Sequence, residues 1–228
     1  MATTGTYNFN PSFGELAAQA FRRIQVPRQA LTEEHLLDAQ NEANLMLLDW
    51  ANKGLNLWAI EELSIPLLAG QATYDLPFET VDMLDTWVSF TENGVTVDRL
   101  MQPIMRSEYA SYGAKATEGV PSVYWMSKTV TPTVTLFPVP QSDDYTLKWY
   151  RLRWQQDTDI SNAQTVDVHR LWLAAFVAGL ASVLSVIYKP EAFQALDAIA
   201  KEKWQTAAEE NVEDGNLYIA PSLSGYYR

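Results

Sequence analysis

The chain has 228 residues, 47% of them apolar, with 8 Trp, 11 Tyr and no cysteine. It can bury a core without a disulfide or metal, and thiolate metal sites and cysteine nucleophiles are excluded. The formal net charge of −12 argues against gripping nucleic acid, since each phosphate contact needs Lys or Arg. Acidity keeps such a chain soluble, and it would also suit a wall along which nucleic acid slides.

Residues 1–11 read as a polar lead-in carrying Tyr7 and Phe9, without the basic start and apolar run of a signal peptide. Ser12 and Glu15 form a capping-box pattern. Phe13, Leu16, Ala17, Ala20, Phe21 and Ile24 then recur at helical spacing until Pro27. Thr32 is the next N-cap, with Glu33 and Glu34 in the first turn where the helix dipole favours negative charge. Leu36, Ala39, Ala43, Met46, Leu47 and Trp50 form the inner face of this second helix, and Lys53-Gly54 reads as its stop.

Strand signals follow. Residues 58–65 read as a strand, Gly70-Gln71 as a turn and residues 74–77 as the return strand. Residues 81–90 and 95–100 flank Asn93-Gly94, a strong hairpin signal. Residues 107–112 suggest a short helical turn. Further strands are expected at 123–127, 134–137 and 145–154. The Phe137-Pro138-Val139-Pro140 run must leave the sheet or follow an edge, since proline donates no ladder bond.

Helical signals return at Thr165, and residues 167–188 are apolar on most sides. Gly179 and several Ser interrupt them, which suits a buried helix better than a membrane span. Pro190 suits the first position of a last helix that runs to about Glu210, with Phe193, Leu196, Ile199, Ala200 and Trp204 inward.

The expected fold is α+β. Two N-terminal and two C-terminal helices make a four-helix bundle-like core, with an inserted antiparallel β-rich module and an extended C-terminal arm. The divisions are a lead-in (1–11), a helical platform (12–56 and 165–214), a β-rich module (57–155), a connecting loop (156–164) and the arm (215–228). The arm is aromatic and too short for its own core. It either packs back on its own bundle or docks on another chain.

No motif for a catalytic elbow, phosphate loop, dinucleotide site or zinc pair occurs. His35 reads as a solvated first-turn residue, and His169, beside Asp167 and Arg170, as a capping or interface residue. The acidic pairs Glu61-Glu62, Asp82 with Asp85, Asp143-Asp144 and Glu209-Glu210 read as solvated faces or turns. No catalytic residue, cofactor or metal is expected.

Four phrases, DWANKGLNLW (49–58), LAGQATYDLP (68–77), GVPSVYW (119–125) and TLFPVP (135–140), stand in an order and element context that resembles the head-to-tail adaptor proteins of short-tailed bacteriophages. The resemblance spans residues 12–216. It implies a structural virion protein of the neck, made in the host cytoplasm. A ring of twelve copies would join the portal to the tail nozzle and extend the channel through which DNA passes without sequence-specific binding. The helices would face the portal and the β module the tail. Leu217, Tyr218, Ile219, Tyr226, Tyr227 and Arg228 would then be portal-docking residues by position. A head-to-tail ring needs two different faces on each copy. Arg22, Arg23 and Arg28 could supply one, and Glu209, Glu210, Glu213 and Asp214 the other. The alternatives are a muramidase-like accessory using Glu61, Glu62, Asp82 or Asp85, and a tail-completion protein of a long-tailed phage.

Overall fold

The Ser12 hydroxyl accepts from the Glu15 N–H while the Glu15 carboxylate accepts from the Ser12 N–H, the reciprocal box that starts α1 (Phe13–Arg23). This is a computed structural model, and it describes residues 5–6, 8–53, 57–160 and 164–211. Helix α1 stops four residues before Pro27, as Gln25 turns the chain at φ 68°. Thr32 caps α2 (Glu33–Asn52). The strands are β1 (Ile60–Pro66), β2 (Thr73–Asp75), β3 (Thr80–Glu92) and β4 (Val95–Pro103). After α3 (Arg106–Ser111) come β5 (Glu118–Gly119), β6 (Val123–Ser127), β7 (Thr133–Phe137), β8 (Val139–Pro140) and β9 (Thr146–Arg153). Two helices, α4 (Leu173–Tyr188) and α5 (Phe193–Glu209), complete the described order. A 3₁₀ turn leads into each of them, so α4 begins later than Asp167, and Pro190 occupies the first turn of the second one.

The fold is mixed α+β, with two hydrophobic cores. Helix α4 is the centre of the helical one: Phe176, Leu180, Ala181 and Leu184 are fully buried against Phe13, Leu16 and Phe21 of α1 and Met46, Leu47 and Trp50 of α2. Residues Arg170–Tyr188 have the length and mean hydropathy, 2.1, to cross a membrane, and 56% of that stretch is buried among the other helices. Helix α5 covers α4 through Leu196, Trp204 and Ala207. Phe193 and Ile199, expected inward, are 38% and 43% exposed, because α5 has a helix on one side only.

The second core lies on the sheet, around Val88, Leu136, Leu147 and Trp149, all fully buried. Seven strands run in the order β1-β9-β3-β4-β6-β7-β2, and β5 and β8 form a separate pair. The Asn93-Gly94 turn holds both residues at positive φ, 53° and 79°, as a type I′ hairpin requires. Two expectations are corrected. The module is not wholly antiparallel: β4 and β6 run parallel, since the crossover through α3 brings the chain back in the same direction, and so do β5 and β8. Residues 74–77 are not the return strand of 58–65. Strand β1 pairs with β9 and β2 with β7, at opposite edges of the sheet. The proline run leaves the sheet after Phe137, and Val139-Pro140 joins the small pair instead.

Candidate docking surfaces

The helices and the sheet meet at a polar junction. Arg153, at the end of β9, forms a two-pronged ion pair with Asp167: Nη1 to Oδ2 is 2.5 Å and Nη2 to Oδ1 is 3.1 Å. The same carboxylate accepts from the Gln156 N–H at 2.9 Å, and the Asp167 carbonyl accepts from the Trp58 indole at 3.2 Å. Burial pushes the Asp167 carboxyl up, but the Arg153 bond and charge and the Gln156 N–H outweigh it, leaving it below the usual 3.8. The Asp167 hydrogen bond holds Arg153 above its ordinary value. Next to it Arg151, buried, bonds Glu61 at 2.6 Å, and Glu79 lies 3.5 Å away. Behind the junction Trp50, Trp58 and Trp204 each lie 5.1–6.0 Å from Trp172, a cluster of four indoles.

Three surfaces stand out. The first is a groove of about 520 Å³ between α2 and α5, floored by α4. Met46, Trp50, Gly179, Val183, Ala200 and Trp204 give it an apolar lining. A Cβ on Gly179 would stand 2.6 Å from the Met46 sulfur, so the glycine leaves room for the Met46 thioether in its present rotamer. Each bank carries an ion pair one turn apart, Asp49 with Lys53 on α2 and Asp197 with Lys201 on α5. The Trp204 indole N–H is buried without an acceptor among the described residues.

The second is a cleft of about 450 Å³ beside α1, where Arg22 and Arg28 face the lead-in residues Asn8, Phe9 and Pro11. Arg22, Arg23 and Arg28 are all exposed and make no salt bridge among the described residues. The third is an outward ridge on α2, Leu37, Leu45 and Leu48, each about half exposed. Glu34 lies on that same outer side.

The structure places Arg22 and Arg23 at the end of α1, Arg28 in the turn after it, and Glu209 and Glu210, both exposed, at the end of α5. Glu213, Asp214, Leu217, Tyr218, Ile219, Tyr226, Tyr227 and Arg228 lie outside the described residues. His35 is not simply solvated. Its Nδ1 takes the place of the capping-box carboxylate against the Thr32 N–H, and its ring stacks on Tyr188 at 4.9 Å. The Thr32-x-x-His35 spacing, that of an N-cap and its third helical residue, was the signal for the capping contact. His169 caps the turn before α4 by accepting from the Leu171 N–H.

In each acidic pair at least one member has a structural partner, Glu209 through the Gln205 amide. Glu61 is held by Arg151 and Arg153, Asp82 by Lys128 at 2.8 Å, and Asp143 accepts from the Ala69 N–H at 2.6 Å. Among the described residues no cluster of three His, Asp or Glu could hold a metal. The groove, the leucine ridge and the Arg153–Asp167 junction escaped the sequence reading. An i, i+8, i+11 leucine pattern on the outer side of α2 was the available signal for the ridge.

The family model described as SU10 adaptor protein matches residues 11–218. No curated protein matches the chain. The chain belongs to the SU10 adaptor protein family, and its resemblance to phage head-to-tail adaptors is that of a member.

Proposed function

From membership of an adaptor family, we propose that this chain is a structural virion component of the phage neck that joins the portal vertex to the tail nozzle. The observation that carries the reading is the family match across residues 11–218, which takes in both hydrophobic cores. Copies assemble head to tail into a ring of twelve, with the helices toward the portal and the β module toward the tail. The exposed guanidinium groups of Arg22, Arg23 and Arg28 and the carboxylates of Glu209, Glu210, Glu213 and Asp214 supply opposite charge for the contact between copies. Leu217, Tyr218, Ile219, Tyr226, Tyr227 and Arg228 engage the portal. The net charge of −12 supports a channel wall that retains and releases DNA without gripping it.

The reading is structural rather than hydrolytic. A glycosidase needs a pair of carboxyl groups facing one cleft, whereas within each candidate pair one member, Glu61 or Asp82, is engaged by a cation. Electron microscopy of the chain mixed with its portal tests the proposal. Ring density at the narrow end of the portal is expected, and deletion of 217–228 should abolish attachment while the far-ultraviolet circular dichroism stays unchanged. Full attachment of the shortened chain, or peptidoglycan turnover by the isolated protein, would overturn it.

A further inference from the structure

The bundle is one wall short. Helix α4 is apolar almost all round, yet α1, α2 and α5 leave Gly179 and Val183 open at the floor of the groove between α2 and α5. A helix apolar on all sides is normally covered on all sides. The buried Trp204 N–H likewise lacks an acceptor among the described residues, and leaving such a group unpaired is costly. The groove therefore calls for an occupant that brings apolar side chains and a carbonyl, and no net charge, since the Asp49–Lys53 and Asp197–Lys201 pairs leave both banks neutral.

We propose that in the free protein this groove is occupied by the chain's own residues 215–227. They contain no charged side chain, and Leu217, Tyr218 and Ile219 form their first apolar run. The described chain leaves α5 at the right place. The Asn211 side chain accepts from the Leu57 N–H at 3.4 Å, so the chain six residues past groove residue Gln205 is tied to the chain four residues past groove residue Lys53. From Asp197 to Gln205 the groove's α5 bank is about 12 Å long. The seventeen residues after Asn211 reach about 56 Å when extended, so a return along the groove is within range.

A second copy is the weaker candidate occupant. Its leucine ridge on α2 would bring Glu34 toward Asp49 and Asp197. The inference concerns the isolated chain and stands apart from the portal reading. An arm that leaves the groove when a portal is met satisfies both.

The chain has no cysteine, so single pairs can be introduced cleanly into the full-length protein. Lys201 stands on the groove bank, and Lys203 lies on the same helix away from the groove, within similar reach of the tail. Under mild oxidation, K201C with L217C should form an intramolecular disulfide in at least tenfold higher yield than K203C with L217C, independent of protein concentration. Both lysines are exposed, so neither change touches the core. Equal yields from the two pairs, or no disulfide in either, would overturn the assignment. Concentration-dependent dimers linked through the K201C pair would overturn it too, giving the groove to a neighbouring copy's tail.

Discussion

The Arg153–Asp167 pair gives a sharp test of how the two cores are held together. Asp167→Asn keeps the side-chain shape but removes the charge facing a guanidinium whose side chain is only 18% exposed. Breaking a fully buried pair costs about 3–5 kcal/mol. Here Glu61 remains 3.6 Å from Arg153 and some solvent reaches both partners, which lowers the expected loss to about 1.5–2.5 kcal/mol. Urea unfolding followed by tryptophan fluorescence and circular dichroism measures it, and a cycle with Arg153→Met isolates the pair. The coupling should be about 1–2 kcal/mol; a value near zero would refute the view that this contact joins the modules. The pH dependence has a definite sign. Because the folded carboxyl lies below its usual 3.8, its contribution is complete above that value. It disappears as pH falls through the lower folded value, so wild type and Asp167→Asn should converge in acid.

Asn44 takes both the N–H and the hydroxyl of buried Thr158 at 2.8 Å. Asn44→Ala should cost about 2–3 kcal/mol in the same unfolding assay, and Asn44→Asp, which keeps the acceptor, should recover most of it. Tyr188 donates to Asp38 at 2.5 Å, and burial, then this bond and charge, push its phenol up to about 12. An ultraviolet phenolate titration should lose a late-titrating tyrosine when Tyr188 is replaced by Phe. Stability should fall as pH rises from about 10 toward that value, because the unfolded phenol ionises first, and Tyr188→Phe should remove that fall.

Helix boundaries were legible wherever their cause is local. Ser12 with Glu15, Thr32, and Pro190 each act within one turn, and each marks a real helix start. The hairpin at Asn93-Gly94 is equally local. Strand partners were not legible, because β1 pairs with β9 some ninety residues away and nothing in the alternation of residues 60–66 distinguishes β9 from a neighbouring strand. The inner face of α5 was overdrawn for a related reason. Periodicity marks Phe193 and Ile199 as apolar, but only the number of packed neighbours decides whether they are covered. The candidate surfaces fall in the same class: the groove exists because Gly179, Trp50 and Trp204, from three helices, line one hollow.

The chain passes between helices and sheet twice, and the two passages emerge side by side, since Ile60 at the start of β1 pairs with Leu152 near the end of β9. Trp58 and Gln156, one on each passage, both bond to Asp167. Sheet and helices are thus tied at one place, and a load placed on the sheet reaches the helices through the Asp167 anchor that both crossings grip.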